Sequence, residues 1–292
     1  MKKQIKVGIF ALAAMAFTFT SCEKESVDAM EIEEAAVEEV NSSAGRAMVT
    51  DQEVLGKITH LGLDAGVVTK GDFHLPDGSV ESRIYIGDDL VVTNKQLDAI
   101  MEVDGATRQF RTNNLVTGSN RTVDIIGYTG GGFALSSKAQ TALQWAVNNY
   151  NRISGSALRF NLTFGTNYGN KDMVVYDNSA NNPGVSGGVA GFPSNGLPNK
   201  FVQIYGLEGL DTNTNEHVIT HEIGHSIGFR HSDYYDRASC GSNQNEGTAG
   251  VGAIQLPGTP TRDFDSIMQA CFGAGEDGEF SSNDVVALQA MY

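Results

Sequence analysis

The 292-residue sequence predicts an α+β protein, with several strands, two long helices and glycine-rich connections. Three observations carry this. "TVDIIGY", "LRFNLTFGT", "DMVVYD" and "FVQIYG" read as strands. "SSKAQTALQWAVNNYNRI" and a stretch holding His221 and His225 read as helices. The 34 glycines and a hydrophobic fraction of 40% fit a loop-rich globular chain better than a helical bundle.

The elements follow in order. Lys2, Lys3 and Lys6 precede an apolar run from Val7 to Phe19, which predicts an export signal over residues 1–21. Two endings are open: cleavage at "AMA", or a lipid-modified Cys22 in "FTSC", which resembles a bacterial lipobox. Cysteine arithmetic favours the lipid. The chain has 3 cysteines, and lipidation of Cys22 leaves Cys240 and Cys271 to pair. That bridge closes a long loop, worth ~3–4 kcal/mol in the chain-entropy model; the alternative is two buried thiols. The expected location is a bacterial cell envelope, with the lipid as membrane anchor.

Residues 22–50 form an acidic tether, "EKESVDAMEIEEAAVEEV" being too rich in carboxylates to bury a core. Residues 51–111 have structure of their own. "VESRIYIGDDLVVT" reads as a strand, a turn and a strand, and "NKQLDAIMEV" as a short helix. Arg108, Arg111 and Arg121 then mark a polar boundary and offer cutting sites. From 112 the main body runs to 292. Its first long helix places Ala139, Leu143, Ala146, Val147 and Tyr150 on one face. "NPGVSGGVAGFPSNGLPNK" is a long loop or an irregular edge strand, and "SSNDVVALQAMY" a closing helix with Ser281 and Asp284 at capping-box spacing. The formal charge of −15 argues against a nucleic-acid partner, because phosphate binding needs a basic surface.

The chemistry sits in "ITHEIGHSIGFRHSDYYDR". Asn213 and Glu216 have capping spacing and predict the helix start. His221 and His225 are four apart, about 40° and ~6 Å from each other on a helix, so they can share one ion. A continuous helix would carry His231 about 240° around and ~9 Å onward, away from that ion. The helix must therefore stop, and Gly228 supplies the left-handed residue that stops it. Gly224 marks a close approach by another backbone or by substrate. His217 lies a turn before His221, but three histidines so spaced span about 12 Å, too far for one ion; it reads as structural. His60 and His74 lack ligand spacing and read as surface residues.

"HEIGHSIGFRH" followed by "SIM" resembles the metzincin zinc-peptidase signature with its Met-turn. Together with "NEGTAGVGAIQLPGTP" it is similar to the bacterial dual-action HEIGH metallopeptidases over roughly 110–292. The resemblance implies a metzincin-like domain (twisted mixed sheet, active-site helix, Met-turn, C-terminal helix) preceded by a pro-segment. It makes His221, His225 and His231 the ligands of one catalytic Zn2+, Glu222 the general base and Met268 the floor beneath the metal. Three neutral ligands leave zinc its full charge and an open position for water. Astacin-like members place a tyrosine soon after the Met-turn methionine. Here Gln269, Ala270 and Cys271 follow, so an assisting tyrosine must come from elsewhere, such as Tyr234 or Tyr235. "GAGEDGEFSSND" lacks the ligand spacing of a calcium loop, which leaves Ca2+ without support.

The expected function is a zinc endopeptidase acting on peptide or protein substrates as a monomer. The alternative is a non-catalytic zinc-binding surface lipoprotein, against which the intact Glu222 speaks. "YIGDD" resembles the segment with which astacin-type proenzymes set an aspartate on the zinc, and Asp88 is favoured over Asp89 as the switch by position. An ordinary Gly-Asp turn is the competing reading.

Overall fold

The computed structural model describes residues 45–60, 65–87, 89–99, 110–246, 253–260, 262–273 and 275–292, with backbone alone at 60, 65, 98 and 99. The export signal, Cys22, the tether up to residue 44, Asp88 and Arg108 lie outside the described residues.

The described residues up to 99, here called the leader, comprise β1 (Ala47–Met48), α1 (Gln52–His60), β2 (Val68–His74), β3 (Val80–Ile86), β4 (Leu90–Val92) and α2 (Asn94–Ala99). The four strands pair antiparallel in the order β1-β2-β3-β4. Ile58, Val68, Ile84, Ile86, Leu90, Val92 and Leu97 bury a small core against Phe192 of the body. Each such side chain contributes about 1.5–3 kcal/mol when fully buried.

The body comprises β5 (Phe110–Arg111), β6 (Thr122–Tyr128), α3 (Ser137–Asn151), β7 (Arg159–Gly165), β8 (Met173–Asp177), β9 (Gly187–Val189), β10 (Phe201–Tyr205), α4 (Thr212–Ile227), β11 (Ile254–Gln255) and α5 (Ser282–Met291). Five strands make a mixed sheet ordered β7-β6-β8-β10-β9, in which only β9 runs antiparallel. β5 and β11 pair separately. The central strands are apolar on both faces because both are covered. Val123, Ile125, Met173, Val175, Val202 and Ile204 face α3 and α4. Ile126, Tyr128, Val174 and Tyr176 line the opposite face. There the leader docks: Phe73, Leu75, Tyr85 and Val91 pack with Val189 and Tyr205, and the Arg83 guanidinium lies 3.7 Å from the Phe73 ring centroid.

The face predicted for α3 is the one it buries, and Ser136 caps it by accepting from the Ala139 N–H. The start of α4 differs from the prediction. Asp211, not Asn213, is the cap, its Oδ1 accepting from the Thr214 N–H at 2.7 Å. A carboxylate at the positive helix end outcompetes an amide further in, and Glu216 turns instead to accept from Asn149 at 2.8 Å. "NPGVSGGVAGFPSNGLPNK" supplies β9 as a short edge strand. Ser281 and Asp284 form the full capping box that opens α5. Asp284 also accepts from Ser266 Oγ at 2.7 Å and from the Ile267 N–H at 2.9 Å, tying α5 to the Met268 turn. Burial pushes its carboxyl up to about 6, against those donors. Among the described residues no helix is long and apolar enough to cross a membrane.

Candidate metal centre

α4 is buried from Thr214 to its end and brings the His221 and His225 rings to 4.7 Å between centroids. Gly228 ends it at φ 112°, with its N–H on the His225 carbonyl and the Phe229 N–H on Gly224, both at 2.9 Å. This is the two-bond closure that reverses a chain after a helix. The emerging strand is held by the stretch around β5, through Thr112 N–H to Gly228 O and Arg230 N–H to Phe110 O, each 2.8 Å. The reversal returns His231 to the helix, its ring centroid 4.8 Å from that of His225 and 5.3 Å from that of His221.

A side chain at Gly228 would disturb this. A Cβ there would sit 2.9 Å from Leu115 Cδ2 and 3.1 Å from Asn114 O, in a backbone conformation unfavourable to other residues. Gly228→Ala is expected to cost ~1–3 kcal/mol and to weaken zinc binding by misplacing His231. A melting curve beside a zinc titration checks both.

Each histidine is held at Nδ1. His221 meets the Ile267 carbonyl at 2.8 Å, His225 the Phe229 carbonyl at 2.9 Å, and His231 both oxygens of Glu246 at 2.7 and 2.9 Å. Oxygen acceptors at Nδ1 place a proton there, so Nε2 is the atom each ring turns toward a metal. The Nε2 atoms converge, those of His225 and His231 lying 3.2 Å apart. Asp89 Oδ2 joins them, 2.7 Å from His231 Nε2, 3.5 Å from His221 Nε2 and 3.8 Å from His225 Nε2. These four ligand atoms all lie within 4.8 Å of one another. Three imidazole nitrogens and a carboxylate oxygen suit zinc, so the donor set fits that ion. Burial pushes the His221 imidazole down to about 4, in spite of the bonded Asp89. A neutral ring is what a metal requires.

A family model for the dual-action HEIGH metallo-peptidases matches residues 84–292. The chain belongs to this family. It is a zinc metallopeptidase. Among solved structures, two of myroilysin are similar to it at 12% and 14% identity. Each match covers 70% of this chain and 98% of the other, with a TM-score of 0.40. High choriolytic enzyme 1, a hatching enzyme zinc-protease from the medaka fish Oryzias latipes, is 16% identical, over 61% of this chain and 94% of the other, at a TM-score of 0.37. No curated protein matches the sequence.

In this HEIGH peptidase the surroundings of the histidines are built from distant segments. A Cβ at Gly224 would lie 2.5 Å from Met268 Sδ. The close neighbour there is thus the methionine thioether, where the sequence suggested backbone or substrate. The Met268 carbonyl accepts the Ser232 N–H at 2.7 Å, so the turn also anchors the residue after His231. Cys240 and Cys271 are joined as a disulfide, and Asp233 accepts from Ala270 N–H and Ser239 Oγ, so the loop after His231 is fastened to that turn. Glu222 is 2% exposed and pressed against β9: a Cβ on Gly188 would lie 2.6 Å from its Cγ. Its Oε2 is buried without a hydrogen-bond partner, and burial, then the Asp89 charge, holds the carboxyl well above the usual range.

Other sequence readings fall elsewhere. Tyr234 stacks edge-on against Phe110 with centroids 4.0 Å apart, and Tyr235 accepts from Arg262 at 2.9 Å. His217 bonds the Asp277 carbonyl at 2.8 Å and stays outside the metal-competent cluster. His74 is half-buried, and the side chain of His60 lies outside the described residues. Asp88 does so as well, while its neighbour Asp89 is the aspartate among the histidines. Sequence reasoning set Asp89 second to Asp88, and it missed Glu246 and Gly188. Only Asp89 had a signal, the doubled "DD".

Proposed function

We propose that the chain is an exported, lipid-anchored zinc endopeptidase made as a precursor, in which Asp89 is the switch. One observation carries the switch: Asp89 Oδ2 lies where the three Nε2 atoms converge, in the turn just before β4, whose Leu90 bridges to Ala190 at the rim of the sheet. The Ala190 N–H donates to Asp89 O at 3.0 Å and the Val91 N–H to Ala190 O at 2.9 Å. An extended substrate needs such an edge for its own backbone, so the leader blocks metal and rim together. Residues 1–21 as the signal, Cys22 as the lipid site and 51–111 as the pro-segment complete the proposal. β5 qualifies the boundary, since Phe110 and Arg111 are paired into the body. Cutting at Arg108 would leave that pairing intact.

His221, His225 and His231 would hold the zinc. The bound ion supplies a Lewis acid that acidifies water and polarises a peptide carbonyl. Glu222 is the general base: its carboxylate takes the proton of the attacking water and returns it to the leaving amide nitrogen. Burial serves this role, because raising the affinity of Glu222 for a proton brings it closer to the working pH. Gly188 keeps β9 close enough to hold Glu222 in one place, and the β9 edge aligns the peptide.

The test is Asp89→Ala in the full precursor, followed by peptide cleavage and intact mass. The variant is expected to cleave peptide before its leader is removed, and to lose the leader sooner. A variant that is folded and zinc-loaded yet as inactive as the wild-type precursor overturns Asp89 as the switch.

A further inference from the structure

We propose that Glu246 is the positioning residue for His231, with its carboxylate, far along the chain, setting the orientation and donor strength of the third histidine. The inference rests on the reading of His231 as a zinc ligand. The three histidines are not held alike. His221 and His225 stand on one rigid helix, and each Nδ1 meets a backbone carbonyl. His231 lies beyond the Gly228 reversal, where no helix fixes it, and its Nδ1 meets a carboxylate instead. A carboxylate draws the Nδ1 proton more strongly than a carbonyl does. It thereby increases electron density at Nε2 and makes the ring a better donor to a cation.

Glu246 is itself held. Its N–H donates to the Tyr234 carbonyl at 2.6 Å, so the loop bearing it is pinned to the turn after His231. Its carboxylate is 3.7 Å from Arg230 Nη2 and 3.5 Å from Arg237 Nη1. Two guanidiniums beside one carboxylate favour its ionised form, which is the form that accepts from Nδ1–H. Arg230 is 2% exposed, with its guanidinium 5.5 Å from the Tyr234 ring and 5.9 Å from that of Phe192. The Cys240–Cys271 bridge ties the same loop to the turn of Met268. The third ligand thus takes its rigidity from a buried ionic lattice and a covalent bridge, in place of a helix.

The experiment compares Glu246→Ala and Glu246→Gln with wild type in the full chain. It measures zinc affinity by competition with a chelator, the visible spectrum of the cobalt(II)-loaded protein, and melting with and without zinc. Alanine is expected to weaken zinc binding about 10–100-fold. Glutamine keeps shape and one acceptor, so it should lose less affinity, shift the cobalt bands, and melt like wild type when zinc is stripped. Zinc affinity within twofold of wild type in both variants, with unchanged cobalt bands, overturns the proposal. So does a glutamine variant that loses as much melting temperature without zinc as with it, since that marks a purely structural role. A His231→Ala control separates the two claims. If that variant keeps full zinc affinity, the ligand reading has failed; if it loses zinc while the Glu246 variants do not, only the present inference has failed.

Discussion

Glu222→Ala is expected to lower turnover by about 10²–10⁴-fold, the usual worth of a positioned general base, while zinc content and fold are retained. The residue follows His221, about 100° further round the helix, so it faces a different direction from the ligand nitrogens. It is not one of the four groups in the metal-competent cluster. Its removal should also relieve a cost. Glu222 is 2% exposed and its Oε2 has no hydrogen-bond partner, a combination that folding alone would not favour. The variant, or the closer-shaped Glu222→Gln, is therefore expected to melt at or above the wild-type temperature. Peptide cleavage, zinc analysis and a melting curve on one preparation give the answer. Normal cleavage by either variant would sink the mechanism, and loss of zinc would show that Glu222 acts on the metal site itself.

The places where the sequence was legible share a physical cause. The α4 histidines, the α3 face and the Ser281–Asp284 box depend on residues within a few positions of one another, and helix geometry converts such spacing into space. Gly228 was legible for the same reason. The features missed depend on contacts between segments far apart. Nothing local in "GDD" marks Asp89 as the residue that meets the histidines. Pairing of the β4 end with Ala190 decides it, across a hundred positions. Glu246 meets His231 through a loop with no period, and Gly188 matters only because β9 lies against Glu222. The capping error at Asn213 was a local one. Two plausible caps stood two residues apart, and the charged one, Asp211, prevailed.

His231→Ala is expected to weaken zinc binding by far more than the 10–100-fold typical of an outer partner, whereas His217→Ala should leave stoichiometry unchanged. Both residues are 4% exposed histidines, so burial alone does not separate them. Their neighbours do. His231 Nε2 is 3.2 Å from His225 Nε2 and 2.7 Å from Asp89 Oδ2, inside the cluster of ligand atoms. His217 instead meets the Asp277 carbonyl at Nδ1, stacks near Phe272 with centroids 4.8 Å apart, and has a buried Nε2 without a partner. Burial pushes its imidazole down to about 4, so it is neutral near pH 7 and serves as packing with one hydrogen bond. Its truncation should cost stability, ~1–3 kcal/mol, and little zinc affinity. Truncating His231 acts twice over, because it removes a donor and strands the Glu246 carboxylate that the ring had bonded. Metal analysis and melting curves of the two variants distinguish these cases. A protein that needs His217 for its zinc and dispenses with His231 would overturn the ligand assignment.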